Sequence, residues 1–518
     1  MWHNILITAE TLFFIYAAYL AGDLVFRLGR IEPAGALRRA VYAVTVGYGA
    51  IGVAGVLLGL LGALTFFYLN LLFGGILIVS GRTIAAQARY LAALDWSFSG
   101  GARLLAGLFR EHAFLKIILV LWLAINFVFV FVPITGHDVK MYRMPLMLEM
   151  VREGGLTFTS PVTEYLWMPL LAETIYVIPM IAFGNTAAPF VFQLLQYSTL
   201  VLLLGLVYAF LRERLGHSFL AFLGLFFVLA LFDLEREVLH GGYTDVFVYL
   251  FGLGSLLLVV EYCATPAARV RRGLILSAIL LGFALSVKQT ALFIAPANAL
   301  ILFTAFVRRR MTFSQQLARL GAYGLIVVLI AGFWYAKNSY LFDSPLYAGG
   351  LTLSETIIVE RTVPNMFLFP FYRFAIIGNK DSASRLIVLG YFVFIYAALA
   401  FFALFDRTKI KPEHLLLFAF SHLYLYLIFF ISHHTRYFVP ALVALPVLAA
   451  LLIDRMYQYG AEVLGTRMHQ KLLRVSLVCF QVLLVLLFIG NIRYFYVKFL
   501  YKTGVLTEQE YITEIGGL

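Results

Sequence analysis

The sequence predicts an all-α, polytopic membrane protein. Apolar runs near the length of a bilayer-crossing helix recur from one end of the chain to the other. Of 518 residues, 62% are hydrophobic and 13% charged, whereas soluble domains are nearer half apolar and a quarter charged. The polar residues gather in segments between the runs, as expected where the backbone must satisfy itself inside lipid.

In order, the runs place spans at about 4–26, 40–62, 64–80, 114–134, 187–211, 217–232, 245–262, 273–288, 290–307, 317–336, 386–405, 413–431, 437–453 and 474–494, or about 14 in all. The N-terminal "MWHNILITAE" lacks the basic start of a signal peptide. Arg27, Arg30, Arg38 and Arg39 follow the first run instead, which predicts an outer N-terminus and an inner first loop. With that orientation most of the 39 Lys and Arg fall inside, and the net charge of +12 is explained by the positive-inside rule rather than by nucleic acid. The Arg-bearing stretch 85–113 reads as an amphipathic helix on the inner face. The apolar segment 164–184, "EYLWMPLLAETIYVIPMIAFG", carries Glu173, Pro169 and Pro179. Counting it as a span would move Arg212 and Arg214 outside, so it reads as a juxtamembrane or re-entrant helix lying on the outer face.

Three regions follow from this pass. Residues 1–113 hold three N-terminal spans and the inner amphipathic segment. Residues 114–455 form the core, with outer loops 135–186 and 337–385. Residues 456–518 hold a last span and a short outer tail. Cys263 and Cys479 lie in or beside apolar segments and suggest no disulfide framework. Neither an internal repeat nor a Gly-rich phosphate loop is evident.

Several predicted outer segments keep basic residues against the topological bias, which makes them candidates for binding an anion. In "PITGHDVKMYRMP", Asp138 follows a helix end; it reads either as a cap of the next short helix or as a general base toward an acceptor hydroxyl. Asp245 opens a span in "GGYTDVFVYLF", where a carboxylate is favoured by the helix dipole and can also serve as a second active-site acid. Lys288 in "SVKQT" stands between two apolar runs. A lysine at membrane depth costs roughly 3 kcal/mol, so it either snorkels or meets an aqueous cavity or an anionic partner. Lys337 with Asn338, Arg143 with Tyr142, and Arg436 are further candidate substrate contacts, the basic ones toward phosphate, arginine being able to present two donors at once. His137 and His240 are the candidate metal ligands, with Asp138, Asp245 or Glu173 as carboxylate partners, and ordinary hydrogen-bonding histidines as the other reading.

The order of these segments resembles the GT-C superfamily of membrane glycosyltransferases, in the branch of protein O-mannosyltransferases and aminoarabinose transferases. "GHDVKMYRMP" looks like the family's first outer loop, with Asp138, Tyr142 and Pro145 in place. "MPLLAETIYVIPMIAFG", "GGYTDVFVYLF", "VKQTALFIAP", "GFWYAKNSYLFDSPLY" and "TRYFVPALVALP" follow in the family's order across about 130–455.

The resemblance implies a GT-C-like bundle that transfers a sugar from a polyprenyl-phosphate carrier to an acceptor on the extracytoplasmic face, usually with inversion. By it, Asp138 is the base, Asp245 a second acid, and Lys288, Lys337 and Arg436 contact the donor phosphate. The expected partners are that donor, a glycan, lipid or protein acceptor, and membrane lipid. The expected location is the inner membrane. No cofactor is required, and a divalent metal is the one candidate. The rival classes are a lipid or glycan transporter or flippase, a glycan polymerase or ligase, and a non-catalytic scaffold. Of these, a transporter usually shows discontinuous helices and internal repeats, and no internal repeat is evident here.

Overall fold

The computed structural model describes residues 2–510 apart from 34, 95–110 (where 97 and 107 are described), 132–137, 157–166 (where 158 is described), 185–188, 216, 232–242, 266–270, 348–359, 369–381, 432–434, 465 and 508. The described residues fold almost wholly into helices. In chain order these are α1 (Trp2–Leu28), α2 (Ala36–Leu60), α3 (Phe66–Val79), α4 (Gly81–Ala92), α5 (Ala113–Phe129), a π-helical turn Val139–Arg143, α6 (Met144–Glu153), α7 (Leu171–Ala182), α8 (Pro189–Arg214), α9 (Ser218–Leu229), α10 (Asp245–Ala264) and α11 (Arg271–Val287). A 3-10 turn at Gln289–Phe293 leads to α12 (Ile294–Arg308), followed by α13 (Phe313–Phe342), α14 (Ser382–Phe405), α15 (Pro412–Phe429), α16 (Thr435–Val463) and α17 (Thr466–Lys502).

Among the described residues, eight helices are long and apolar enough to cross a membrane, or nine if the bent pair α3–α4 counts as one span. The expectation of about 14 spans is therefore met in part. Its remaining members fall on shorter apolar stretches in α5, α9, α11, α14 and α17, such as Ala113–Phe129 and Ser218–Leu229. The 66° bend between α3 and α4 falls where apolar sequence gives way to "GRTIAAQARY". None of the residues of α4 is buried; much of the stretch 85–113, expected as an amphipathic helix on the inner face, lies outside the described residues.

Small residues set the N-terminal packing. A β-carbon at Gly22 would lie 1.8 Å from the carbonyl oxygen of Ala43, and one at Gly47 would lie 1.7 Å from that of Ala18. α1 and α2 therefore run antiparallel with their backbones touching, the small-residue contact that replaces hydrophobic drive between helices in lipid. The opposite side of α2 meets α7: side chains at Gly52 and Gly55 would strike Ile175, Leu171, Ile178 and Thr174.

α7 is buried along its whole length, enclosed by α1, α2, α3, α6, α8 and α11. Its burial replaces the expectation of a helix lying along a surface and leaves the re-entrant reading of the segment standing. Its apolar residues face neighbours all round, and an apolar segment can be covered by protein as readily as by lipid. The amphipathic surface helix is α6 instead, which buries Leu146, Met147 and Met150 and exposes Leu148.

The ends of the helices sort the charges. At one end Arg38 of α2 binds Glu213 of α8 (2.6 Å) and Glu261 of α10, and Arg272 donates to the Arg30 carbonyl. Arg309 donates there to the carbonyls of Tyr262 and Thr265. The 20 residues of α10 then rise about 30 Å to Asp245, at the opposite end.

Candidate functional site

The site is assembled where α10 begins, α11 ends and the chain leaves α5. Asp245 is the first residue of α10 and is 2% exposed. Lys288 follows the last residue of α11 in extended conformation, so its ammonium turns back across the helix end. It reaches both oxygens of Asp245, at 2.8 and 2.9 Å. The helix dipoles favour both charges, the carboxylate at an N-terminus and the ammonium at a C-terminus. An ammonium has three donors, and Asp245 engages two of them. The Tyr437 ring packs against the same ammonium, 4.7 Å from its centroid, which brings the first turn of α16 to the site. Arg436 lies on that turn; its side chain is outside the description.

Asp138 stands at the start of the π-helical turn and is partly exposed. The turn brings Tyr142 back over it, and the phenol donates to Asp138 Oδ2 at 3.2 Å. Arg143, next in sequence, turns inward to an ion pair with Glu173 of α7. Each side chain of that pair is 2% exposed. The guanidinium carbon lies 5.2 Å from the centroid of the Tyr142 ring. Burial works against the charged form of Arg143; Glu173 above all, and then Tyr142, Asp245 and Asp138, outweigh it, so the guanidinium is held more firmly protonated than usual. These groups are thus within electrostatic reach of one another, as is Lys288 of Glu173. Tyr424 of α15 also lies within electrostatic reach of Asp245.

Lys337 and Asn338, in the last turns of α13, are also buried. Asn338 donates to the Trp167 carbonyl at 2.8 Å and Lys337 to that of Met168 at 3.4 Å. They fasten the segment that enters α7. Beyond α13 the chain returns to the Lys288 turn, where Gln289 donates to the Tyr347 carbonyl at 3.2 Å.

The structure therefore pairs Asp138 with Tyr142 and Asp245 with Lys288, holds Arg143 on Glu173 within electrostatic reach of both acids, and ties Lys337 and Asn338 to the segment that enters α7. His137 and His240 lie outside the described residues, and among the described residues no group of three His, Cys, Asp or Glu is placed to hold a metal ion. Sequence reasoning had not paired Glu173 with Arg143. An acid inside an apolar helix needs a cation, and that requirement is a signal from which the pairing could be sought.

The structure matches the crystal structure of ArnT from Cupriavidus metallidurans bound to undecaprenyl phosphate, with a TM-score of 0.50 and 15% sequence identity, over 78% of this chain and 74% of that one. The chain shares the fold of ArnT. The apo structure of ArnT matches with a TM-score of 0.49 and 15% identity, over 77% of this chain and 73% of that one. The likeness meets the GT-C resemblance of the sequence motifs at the level of fold. No protein-family model and no curated protein sequence matches the chain.

Proposed function

We propose that the protein is an inverting membrane glycosyltransferase that moves a sugar from a polyprenyl-phosphate carrier to an acceptor on the extracytoplasmic face of the inner membrane. The observation that supports this reading is that the Asp245–Lys288 pair and the Asp138–Tyr142 contact both lie within electrostatic reach of Arg143, in a bundle with the fold of ArnT. Residues far apart in sequence gather an acid, a cation and aromatic rings where a lipid headgroup would stand. ArnT itself binds undecaprenyl phosphate.

Asp138 is the general base. It takes the proton of the acceptor hydroxyl as that oxygen bonds to the anomeric carbon, while the bond from that carbon to the phosphate oxygen breaks. The polyprenyl phosphate leaves with the electron pair. Lys288, with its third donor, stabilises the charge that develops on it, and Lys337, Asn338 and Arg436 are further contacts. Asp245 fixes the ammonium in place, and Tyr142 orients the base. A single displacement inverts the anomeric centre and needs no covalent enzyme intermediate, unlike the double displacement of retaining glycosidases. The full set of about 14 spans follows if the shorter apolar helices also cross the bilayer. The Arg-rich end is then cytoplasmic by the positive-inside rule, which leaves the acid end outside.

The test is transfer by the purified protein in vesicles that contain a polyprenyl-phosphate sugar and candidate acceptors. Sugar transfer that Asp138→Asn abolishes is the expected result. Full transfer by that variant removes the proposed base, and movement of the lipid across the bilayer without transfer replaces the whole reading.

A further inference from the structure

Glu173 has no part in the reaction as proposed, yet it sits behind its centre. It is an acid in a helix buried on every side, and it is paired with the arginine five residues after Asp138. The pair is made across two separate elements, the turn that carries the base and the core helix α7. Arg143 Nε and Glu173 Oε2 have no hydrogen-bond partner, so the Glu173–Arg143 contact is what holds the guanidinium in its orientation. A buried arginine deprived of Glu173 is strongly disfavoured, so the turn that carries it would shift in search of another counter-ion.

We infer that Glu173 is a positioning residue: by binding Arg143 it anchors the 138–143 turn, and with it Asp138, to α7. The inference rests on Asp138 being the base only for its catalytic consequence; the anchoring of the turn stands apart from it. The damage done by losing Glu173 comes from the arginine it releases. Removing the arginine as well repairs it, with an amide pair restoring a neutral contact.

The experiment compares Glu173→Gln, Glu173→Asp and the double variant Glu173→Gln with Arg143→Gln, in detergent and in vesicles. Amide hydrogen exchange of the peptide covering 139–147 is the first readout. The single Gln variant is expected to exchange at least tenfold faster there than the wild type, with α10 and α11 unchanged. The double variant is expected to return to near the wild-type rate, and Glu173→Asp to fall between. Transfer is the second readout: kcat falls at least a hundredfold in the single Gln variant with KM for the donor little changed, and the double variant recovers at least tenfold. Unchanged exchange in the single Gln variant overturns the inference, and so does a double variant that recovers neither exchange nor kcat. A wild-type protein that transfers no sugar, with the exchange pattern as expected, overturns the proposed function and leaves the anchoring role of Glu173 standing.

Discussion

The two ends of the bundle bury charge in opposite ways. At the Arg38 end the charges oppose the helix dipoles: an arginine sits in the first turn of α2, while Glu213 and Glu261 sit in the last turns of α8 and α10. Each charge is held in place by its partners, so the trio acts as a staple across three helices. At the Asp245 end the charges follow the dipoles, with an acid starting α10 and a lysine ending α11. Such an arrangement is preorganised before any ligand arrives. One end is built to hold helices together and the other to present charge.

Changing residues at each end tests that contrast. The largest effect is expected at the acid end, where Asp138→Asn lowers transfer by about a hundred- to ten-thousandfold, the range of a general base, with the thermal midpoint unchanged. Lys288→Met should reduce both quantities: Asp245 is left buried without its cation, which costs roughly 3–5 kcal/mol, and transfer falls with it. Thermal unfolding in detergent, measured beside the transfer assay, checks this. Arg38→Met is expected to lose a similar roughly 3–5 kcal/mol of stability, because Glu213 and Glu261 then face each other, but to keep wild-type transfer per folded molecule. A loss of transfer from folded Arg38→Met protein would erase the distinction between the ends. Gly47→Val drives a side chain into the Ala18 carbonyl and should cost about 1–3 kcal/mol, read from the thermal midpoint. The smallest effect is expected from Thr312→Ala, which removes the capping box at the start of α13. A loss of about 1 kcal/mol is expected there, with no change in transfer.

The helices were legible because each apolar run declares itself, and the orientation of Arg38 and Arg272 at one end and Asp245 and Lys288 at the other follows from counting runs. The burial of α7 was not legible. Leu171 to Ala182 is apolar all round, and composition does not distinguish a surface of lipid from a surface of protein. The site was legible in its members rather than in its pairings. Asp245 and Lys288 are 43 residues apart, and Arg143 and Glu173 are 30 apart. No local periodicity links such pairs; only the chain's return through α7, α10 and α11 does. Arg143 illustrates the cost. Its charge and its place beside Asp138 suggested a phosphate contact, whereas its guanidinium is directed to Glu173.

The enclosure of α7 has a consequence for how the chain is made. On one side α7 touches α1, α2 and α3, which are synthesised before it, and on the other α8 and α11, which are synthesised after it. Its 12 residues are too few to cross a bilayer alone. The helix must therefore wait against a half-built wall until the later helices close the other side. The arginine that pairs with its carboxylate is made 30 residues earlier. The order of synthesis supplies the cation before the acid that needs it.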